Sequence, residues 1–394
     1  MDWIIFSLST FFLWYIYFGF RQILRLCVTL SNFFSQKKSQ FFDFELPSDD
    51  YSPGVTIYFP AFNEEDNIEG RITNILNLDY PPEKVELIVI SDGSTDNTAL
   101  IANHLRNSNP ERDIKVISFK ENRGRHVAQN EVASCAKYDI LAATDADARF
   151  APNFLKESMG YFSNPKVAVV GGEKHYRNCK KGIAQSIGIY QKLEFELRRY
   201  EQQLGVMCKT DGMCTLYRKE IWCPIEQFED VDHVVVPFAR KKGLIAVHSP
   251  TAICYDSPNE TFRQEIKARS RMTRKSILST LKVWGPKYII ADPFFSFILY
   301  SHKLVRFLSP IFLFSAFVSL TMIVISNQII NRVTFGLFLV ITLVIIGMNS
   351  RYYWFNKYLL MARSFLIANL GFAMGVYGFL AGNKTGKYKP TRNL

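Results

Sequence analysis

The sequence predicts an α/β domain with a mostly parallel sheet, set between N- and C-terminal transmembrane helices. Uncharged apolar stretches at residues 3–20, 307–331 and 364–382 bracket a middle of ordinary globular composition. Within that middle, short apolar runs alternate with longer helical patterns, the order that builds a parallel sheet with helices on both faces. With 48% hydrophobic and 21% charged residues, and only 21 Gly and 16 Pro among 394, a disordered or collagen-like chain is excluded.

The first strand is read at 55–59, followed by a helix over 67–76. A second strand at 85–90 precedes a helix at 96–105, and a third at 114–119 precedes a helix at 128–136. Strands at 138–143 and 167–170 complete the series. Ligands of such sheets sit beyond the carboxyl ends of the strands. Those ends are polar: Pro60-Ala61-Phe62-Asn63-Glu64-Glu65, then Ser91-Asp92-Gly93-Ser94-Thr95-Asp96, then Thr144-Asp145-Ala146-Asp147-Ala148. Each alone also fits a helix cap. Three acid-bearing strand ends in one sheet repel one another unless a cation or a donor ligand joins them. Asp145 and Asp147, one residue apart, can face one hard divalent cation, which would stabilise a diphosphate leaving group.

Residues 3–20 are long enough to cross a bilayer. Asp2 stands where a basic signal-peptide region would be, and no small-residue cleavage site follows, so an anchor is expected. Arg21, Arg25, Lys37 and Lys38 then place the globular domain in the cytoplasm. Further spans are expected at 307–330, 333–348 and 364–382. Four spans would leave Lys384, Lys387, Lys389 and Arg392 outside, against the same rule, so the parity stays open. Residues 262–283 set Phe262, Ile266, Met272 or Thr273, Ile277 and Leu281 near four-residue spacing with Lys and Arg between, an interfacial amphipathic helix. Residues 289–300, broken at Asp292-Pro293, are too short to cross. The expected organisation is an anchor at 1–34, a cytoplasmic domain at 50–261, interfacial helices at 262–306, spans at 307–382 and a basic tail at 383–394.

The net charge is +11, from 47 Lys plus Arg against 36 Asp plus Glu. Lys267, Arg269, Arg271, Arg274, Lys275, Lys282 and Lys287 cluster just ahead of the apolar part, which suits anionic membrane lipids and not nucleic acid. The seven cysteines and six histidines are scattered with no C-x-x-C pair, arguing against a disulfide framework or a structural zinc site.

Together with Asn122-Arg123-Gly124-Arg125 and Glu229-Asp230, the strand-end motifs resemble those of membrane-embedded family-2 glycosyltransferases of GT-A fold, relatives of hyaluronan, chitin and poly-N-acetylglucosamine synthases. The resemblance runs from about residue 55 to 274. It implies a Rossmann-like nucleotide-sugar domain in which Ala61, Phe62 and Glu64 line the nucleoside pocket and Asp92 hydrogen-bonds uracil. It further implies Asp145 near the ribose, Asp147 as the ligand of Mg²⁺ or Mn²⁺, and Asp230 as general base. Thr210-Asp211-Gly212-Met213-Cys214 corresponds to the family's acceptor-side turn.

Inverting transfer needs one carboxylate to take the acceptor hydroxyl proton, without a covalent nucleophile. Asp232 is the rival to Asp230, and either acid also suits a helix N-terminus. Trp222 fits core packing as well as stacking on an acceptor sugar. Arg123 and Arg125 suit diphosphate oxygens. The family's processive members carry Q-x-x-R-W on the interfacial helix, where this chain has Arg269-Ser270-Arg271-Met272-Thr273-Arg274-Lys275. Arg271 or Arg274 would keep the diphosphate-holding role, while the missing Gln and Trp favour non-processive transfer. The expectation is an inverting glycosyltransferase of the inner or plasma membrane, moving sugar from a nucleotide-sugar donor, UDP-linked, to a lipid-linked or membrane-proximal glycan acceptor. Its partners would be membrane lipids and polysaccharide-assembly proteins. A processive synthase that exports its polymer is the alternative. A non-catalytic nucleotide-sugar-binding subunit is the rival of another class, against which the intact Asp147 and Asp230 argue.

Overall fold

The computed structural model describes residues 1–34, 51–176, 183–257, 261–327 and 353–382. The chain opens with α1 (Asp2–Trp14), a π-helical turn (Tyr15–Gly19) and α2 (Phe20–Phe34). The α/β part follows as β1 (Val55–Ala61), α3 (Glu65–Leu76), β2 (Val85–Asp92), α4 (Thr98–Ser108), β3 (Asp113–Phe119) and α5 (Arg125–Cys135). It continues with β4 (Ile140–Ala143), β5 (Arg149–Phe150), α6 (Phe154–Met159), β6 (Val167–Tyr176) and α7 (Ile183–Gln203). Then come β7 (Thr215–Arg218), α8 (Val231–Lys241) and β8 (Ile245–Asp256). After it come α9 (Phe262–Val283), α10 (Pro286–Ala291), α11 (Pro293–Leu299), a second π-helical turn (Tyr300–Val305), α12 (Ser309–Ser326) and α13 (Tyr353–Leu380).

The eight strands form one sheet in the order β3-β2-β1-β4-β7-β6-β8-β5. β1 to β4 pair in parallel, as the strand–helix alternation predicts. The sheet as a whole is mixed, because β7 runs antiparallel to both β4 and β6 and β5 runs antiparallel to β8. The cause is local: the segment after α7 returns the chain to the carboxyl end of β4, so β7 starts there and runs back.

Strand side chains alternate between two cores. Ile57 and Phe59 of β1 meet Ile68, Ile72 and Ile75 of α3, while Tyr58 points to Ala128 and Val132 of α5. Burial on both faces is why the strands read as continuous apolar runs instead of an alternating pattern.

Phe20 and Leu24 of α2 join the second of these cores, with Phe295, Ile298 and Leu299 of α11, and so tie the membrane elements to that face. The two π-helical turns meet where Tyr15 donates to Ser301 at 2.7 Å. Beside them, His302 lies between the carboxylates of Glu194 and Glu201, and Glu194 also pairs with Lys209 and Arg306. The ligand atoms of Glu201, Cys208 and His302 lie within 4.8 Å of one another. The surrounding Lys and Arg charges make this an ion-pair joint instead of a cation centre, since like charges disfavour an added metal.

Among the described residues, Asp2–Phe34, Ser309–Ser326 and Ala362–Leu380 are long and apolar enough to cross a membrane. Phe12 stacks on Phe312 at 4.7 Å, joining the first two. The span expected at 333–348, the basic residues Lys37 and Lys38, and the tail all fall outside the described residues. The expected amphipathic helix forms over Phe262–Val283, started by a capping box between Thr261 and Gln264. The break at Asp292-Pro293 separates α10 from α11, where Asp292 caps the Phe295 N–H at 3.1 Å.

Candidate active site

The carboxyl ends of β1, β2 and β4 are stitched together by side chains. Asn63, in the left-handed region at φ 55°, accepts from the Thr95 N–H at 2.9 Å, and its own N–H donates to Ser94. The Glu64 N–H donates to Thr98 at 2.8 Å, while the Glu64 carboxylate takes the Asn67 amide. Ala61 is buried at the end of β1 and Phe62 half-buried beyond it.

Asp92 does something the sequence does not announce. Its two oxygens accept the backbone N–H groups of Arg123 and Gly124 at 2.7 and 2.8 Å. It thereby fixes the turn that presents Arg123 and Arg125. Gly93 (φ 72°) allows the close approach, because a Cβ there would lie 2.3 Å from the Asn122 nitrogen. Both amide atoms of Asn122 are buried without a hydrogen-bond partner among the described residues, so a polar group is left to be matched there.

The turn after β4 is clamped from beneath. Arg149 donates to the carbonyls of Ala146, Ala148 and Asn67, and the buried Arg71 donates to Thr144 at 2.7 Å. Asp145 and Asp147 emerge from this clamp, half-buried. Asp256, at the end of β8, adds a third carboxylate to the same edge, since its strand pairs with β5 just past Ala148. Burial, opposed by Lys174 and reinforced by the charge of Asp147, pushes the Asp256 carboxyl up to about 6. Carboxylate oxygens alone, with no soft donor, suit a hard divalent cation. Such oxygen donors are of the chemical kind that Mg²⁺ or Mn²⁺ takes.

Arg125 joins the two halves of the site, donating to Asp145 at 2.6 Å with its Nε 3.9 Å from Asp230. Asp230 caps α8 through the Val231 N–H and takes Gln129 at 2.9 Å and Lys275 at 3.2 Å. Burial would raise its carboxyl, but the Arg125 and Lys275 charges and the Gln129 hydrogen bond hold it well below the usual range. Asp232 behaves oppositely. Burial and the neighbouring Asp230 charge push its carboxyl up to about 7. It lies against Gly212, where a Cβ would sit 3.4 Å from its carboxyl carbon. Asp211 is bound to the buried Arg198 at 2.8 Å and so holds the acceptor-side turn in place.

Two expected site residues lie elsewhere. Because β7 is antiparallel to β4, Thr215 sits at the Asp145 end and Arg218 at the opposite end, with Trp222 further on. Trp222 stacks on Tyr217 at 5.4 Å and meets Phe238 edge-on, so it is a core residue and not an acceptor platform. Arg274 lies against Gly378 of α13. Lys275, the next residue, reaches Asp230 instead, and Arg271 lies one turn earlier on that same helical face. The sequence did not assign Gln129, Lys275 or Asp256 to the site, and named Lys275 only as part of the basic cluster. An acid closing a strand could have pointed to Asp256, but the other two depend on how α5 and α9 dock.

The chain is similar to known glycosyltransferases in sequence and in fold. A Poly-beta-1,6-N-acetyl-D-glucosamine synthase of Staphylococcus aureus is 29% identical over 258 residues, 60% of this chain and 60% of the relative. One from Staphylococcus epidermidis is 28% identical over 231 residues, 55% of this chain and 53% of the relative. The chain thus matches about three fifths of the length of these relatives at most. A mannosyltransferase from Pyrobaculum calidifontis, solved in complex with GDP-Man and Mn²⁺, superposes with a TM-score of 0.70 at 18% identity, covering 96% of this chain and 100% of that one. The fold is GT-A, and residues 56–223 match the model of the family Glycosyl transferase family 2.

Proposed function

We propose that the chain is a membrane-anchored, inverting glycosyltransferase that moves sugar from a nucleotide-sugar, UDP-linked, to a lipid-linked or membrane-proximal glycan acceptor. The observation that carries this reading is the line of Asp145, Arg125 and Asp230 across the carboxyl edge of one sheet. It sets a donor-side carboxylate and an acceptor-side carboxylate on one guanidinium. Ala61, Phe62, Glu64 and the turn held by Asp92 form the nucleoside side, and Arg123, Arg125 and Arg271 face the diphosphate. Asp147, with Asp145 and Asp256 beside it, would hold the divalent cation, which supplies positive charge to the departing diphosphate. The solved mannosyltransferase with Mn²⁺ supports this choice.

Asp230 is the general base. In the free protein Arg125 and Lys275 keep it ionised but weakly basic. A bound diphosphate competes for those two cations, and losing them raises the basicity of Asp230 as the donor arrives. Asp211 and Gly212 shape the acceptor turn.

Asp230→Asn tests the assignment: donor binding by calorimetry persists while transfer falls roughly 10²–10⁴-fold. Loss of donor affinity with normal residual turnover would move the base role to Asp232, whose carboxyl near 7 already suits proton transfer at neutral pH. The similarity to polysaccharide synthases favours a second reading, a processive polymerase. Labelled donor without added acceptor separates the two, because a polydisperse polymer appears only under the second.

A further inference from the structure

Helix α13 passes every test of length and composition for a membrane span, yet its packing contradicts a crossing. It runs parallel to α9 in contact along most of its length. The Arg363 guanidinium lies 3.6 Å over the Phe262 ring. A Cβ on Gly371 would fall 2.6 Å from Arg269 Cβ, and one on Gly375 would fall 2.6 Å from Thr273 Cβ. Gly378 then meets Arg274 at 3.2 Å. Three glycines on one face, spanning about 10 Å at 1.5 Å per residue, thus bring the two helices together. α9 cannot follow a partner into hydrocarbon. It carries Arg263, Lys267, Arg269, Arg271, Arg274 and Lys275. Its far end is fastened to the soluble domain by Lys275 on Asp230, Ser279 on the Phe228 carbonyl and Lys282 on Glu226.

The contacts of α13 with the other two apolar helices fall at one level. Asn369 meets Ser309 and Tyr17, Phe365 meets Tyr17, and Phe372 meets Phe307. Ser309 is the first residue of α12 and Tyr17 lies in the π-turn at the base of α1. α13 therefore crosses the foot of the α1–α12 pair. Its outer face is apolar and exposed at Leu366, Leu370, Met374, Tyr377 and Leu380, continuous with the exposed apolar surfaces of α1 and α12.

We infer that α13 lies in the plane of the cytoplasmic leaflet, with α9 above it, and does not cross the bilayer. The occupant of its outer face is lipid. The exposed Arg263 and Lys267 of α9 flank that face and match anionic headgroups. The chain then leaves α13 at Gly382 on the side of the catalytic domain. This places α9, and through Lys275 the acceptor-side carboxylate, directly on the leaflet surface. The inference rests on the membrane reading of α1 and α12 and not on the chemistry proposed above.

The test is depth. Nitroxides on L366C, L370C, M374C and Y377C in a cysteine-free background, reconstituted in phosphatidylethanolamine–phosphatidylglycerol vesicles, should show one shallow depth by oxygen and nickel-chelate accessibility. A depth that passes through the bilayer centre between Leu366 and Tyr377 overturns the inference. A C-terminal reporter on the unsubstituted chain needs no folding control: a cytoplasmic signal supports it, and an external signal overturns it. Recovery of the whole chain in the soluble fraction would instead overturn the membrane reading itself.

Discussion

Asp92 and Asp230 are both buried carboxylates at one sheet edge, yet they are held by different means. Asp92 takes two backbone N–H groups of a single turn. Asp230 takes side chains from α5 and α9 and the backbone of α8. The proposed donor side is therefore built locally, from strand ends and the loops that follow them. The proposed acceptor side is assembled from elements distant in sequence, one of them packed against the apolar helix α13. A locally built half tolerates motion elsewhere, whereas the other half responds to anything that shifts α9.

Damage on the donor side should consequently be large in rate and small in stability. Asp147→Asn should cost transfer at least ~3 kcal/mol, more than a hundredfold in initial rate, because it removes charge from the reaction and nothing from the core. Its thermal midpoint should match wild type. A variant that turns over normally under chelation would break the contrast.

Trp222→Ala should do the reverse. Truncating a stacked aromatic costs about 3 kcal/mol of stability. With the ring at the far end of β7, the acceptor KM of the surviving folded enzyme should be unchanged. A raised KM at wild-type stability would return Trp222 to the acceptor site.

The smallest effect, and the sharpest for the acceptor half, concerns Asp232. Its folded carboxyl near 7 exceeds the unfolded value of about 3.9, so between those pH values the folded chain holds a proton that the unfolded chain releases. Stability from this group thus falls as pH rises across that window, and the deficit is complete above it. Asp232→Asn removes the deficit, so its melting temperature relative to wild type should be higher at pH 8 than at pH 5. Asp230, depressed by its cations, works oppositely and loses its contribution as pH falls below about 4. An Asp232→Asn difference that is flat with pH would show that the folded Asp232 carboxyl is not raised.

The same division decides what the sequence could reveal. β1 to β4, their order and the polar residues at their ends follow from patterns a few residues long. Asp145, Asp147 and Asp230 could be picked out because acids at strand and helix ends are visible in one dimension. The direction of β7 is not, and it alone sends Trp222 to the far end of the sheet. Lys275 and Arg274 are adjacent and chemically alike. Which one meets Asp230 and which meets Gly378 depends on the rotation of α9 between two partners. Composition likewise reads α13 as a span, because glycine and leucine count toward hydropathy whether they face lipid or another backbone.

The π-helical turn at Tyr15–Gly19 bears on how such a chain can change over time. A π-turn holds one more residue than an α-turn, so it works as a stored insertion. Deleting one residue there would close the turn to an ordinary α-helical one and leave the helix beyond it facing as before, because the wider turn already absorbs the roughly 100° that one residue adds. Phe20, Leu24 and Val28 would keep facing the protein. The same deletion elsewhere in the anchor has no such turn to close and would rotate the residues beyond it by about 100°. Two homologous anchors can therefore differ by one residue at this point and still be interchangeable.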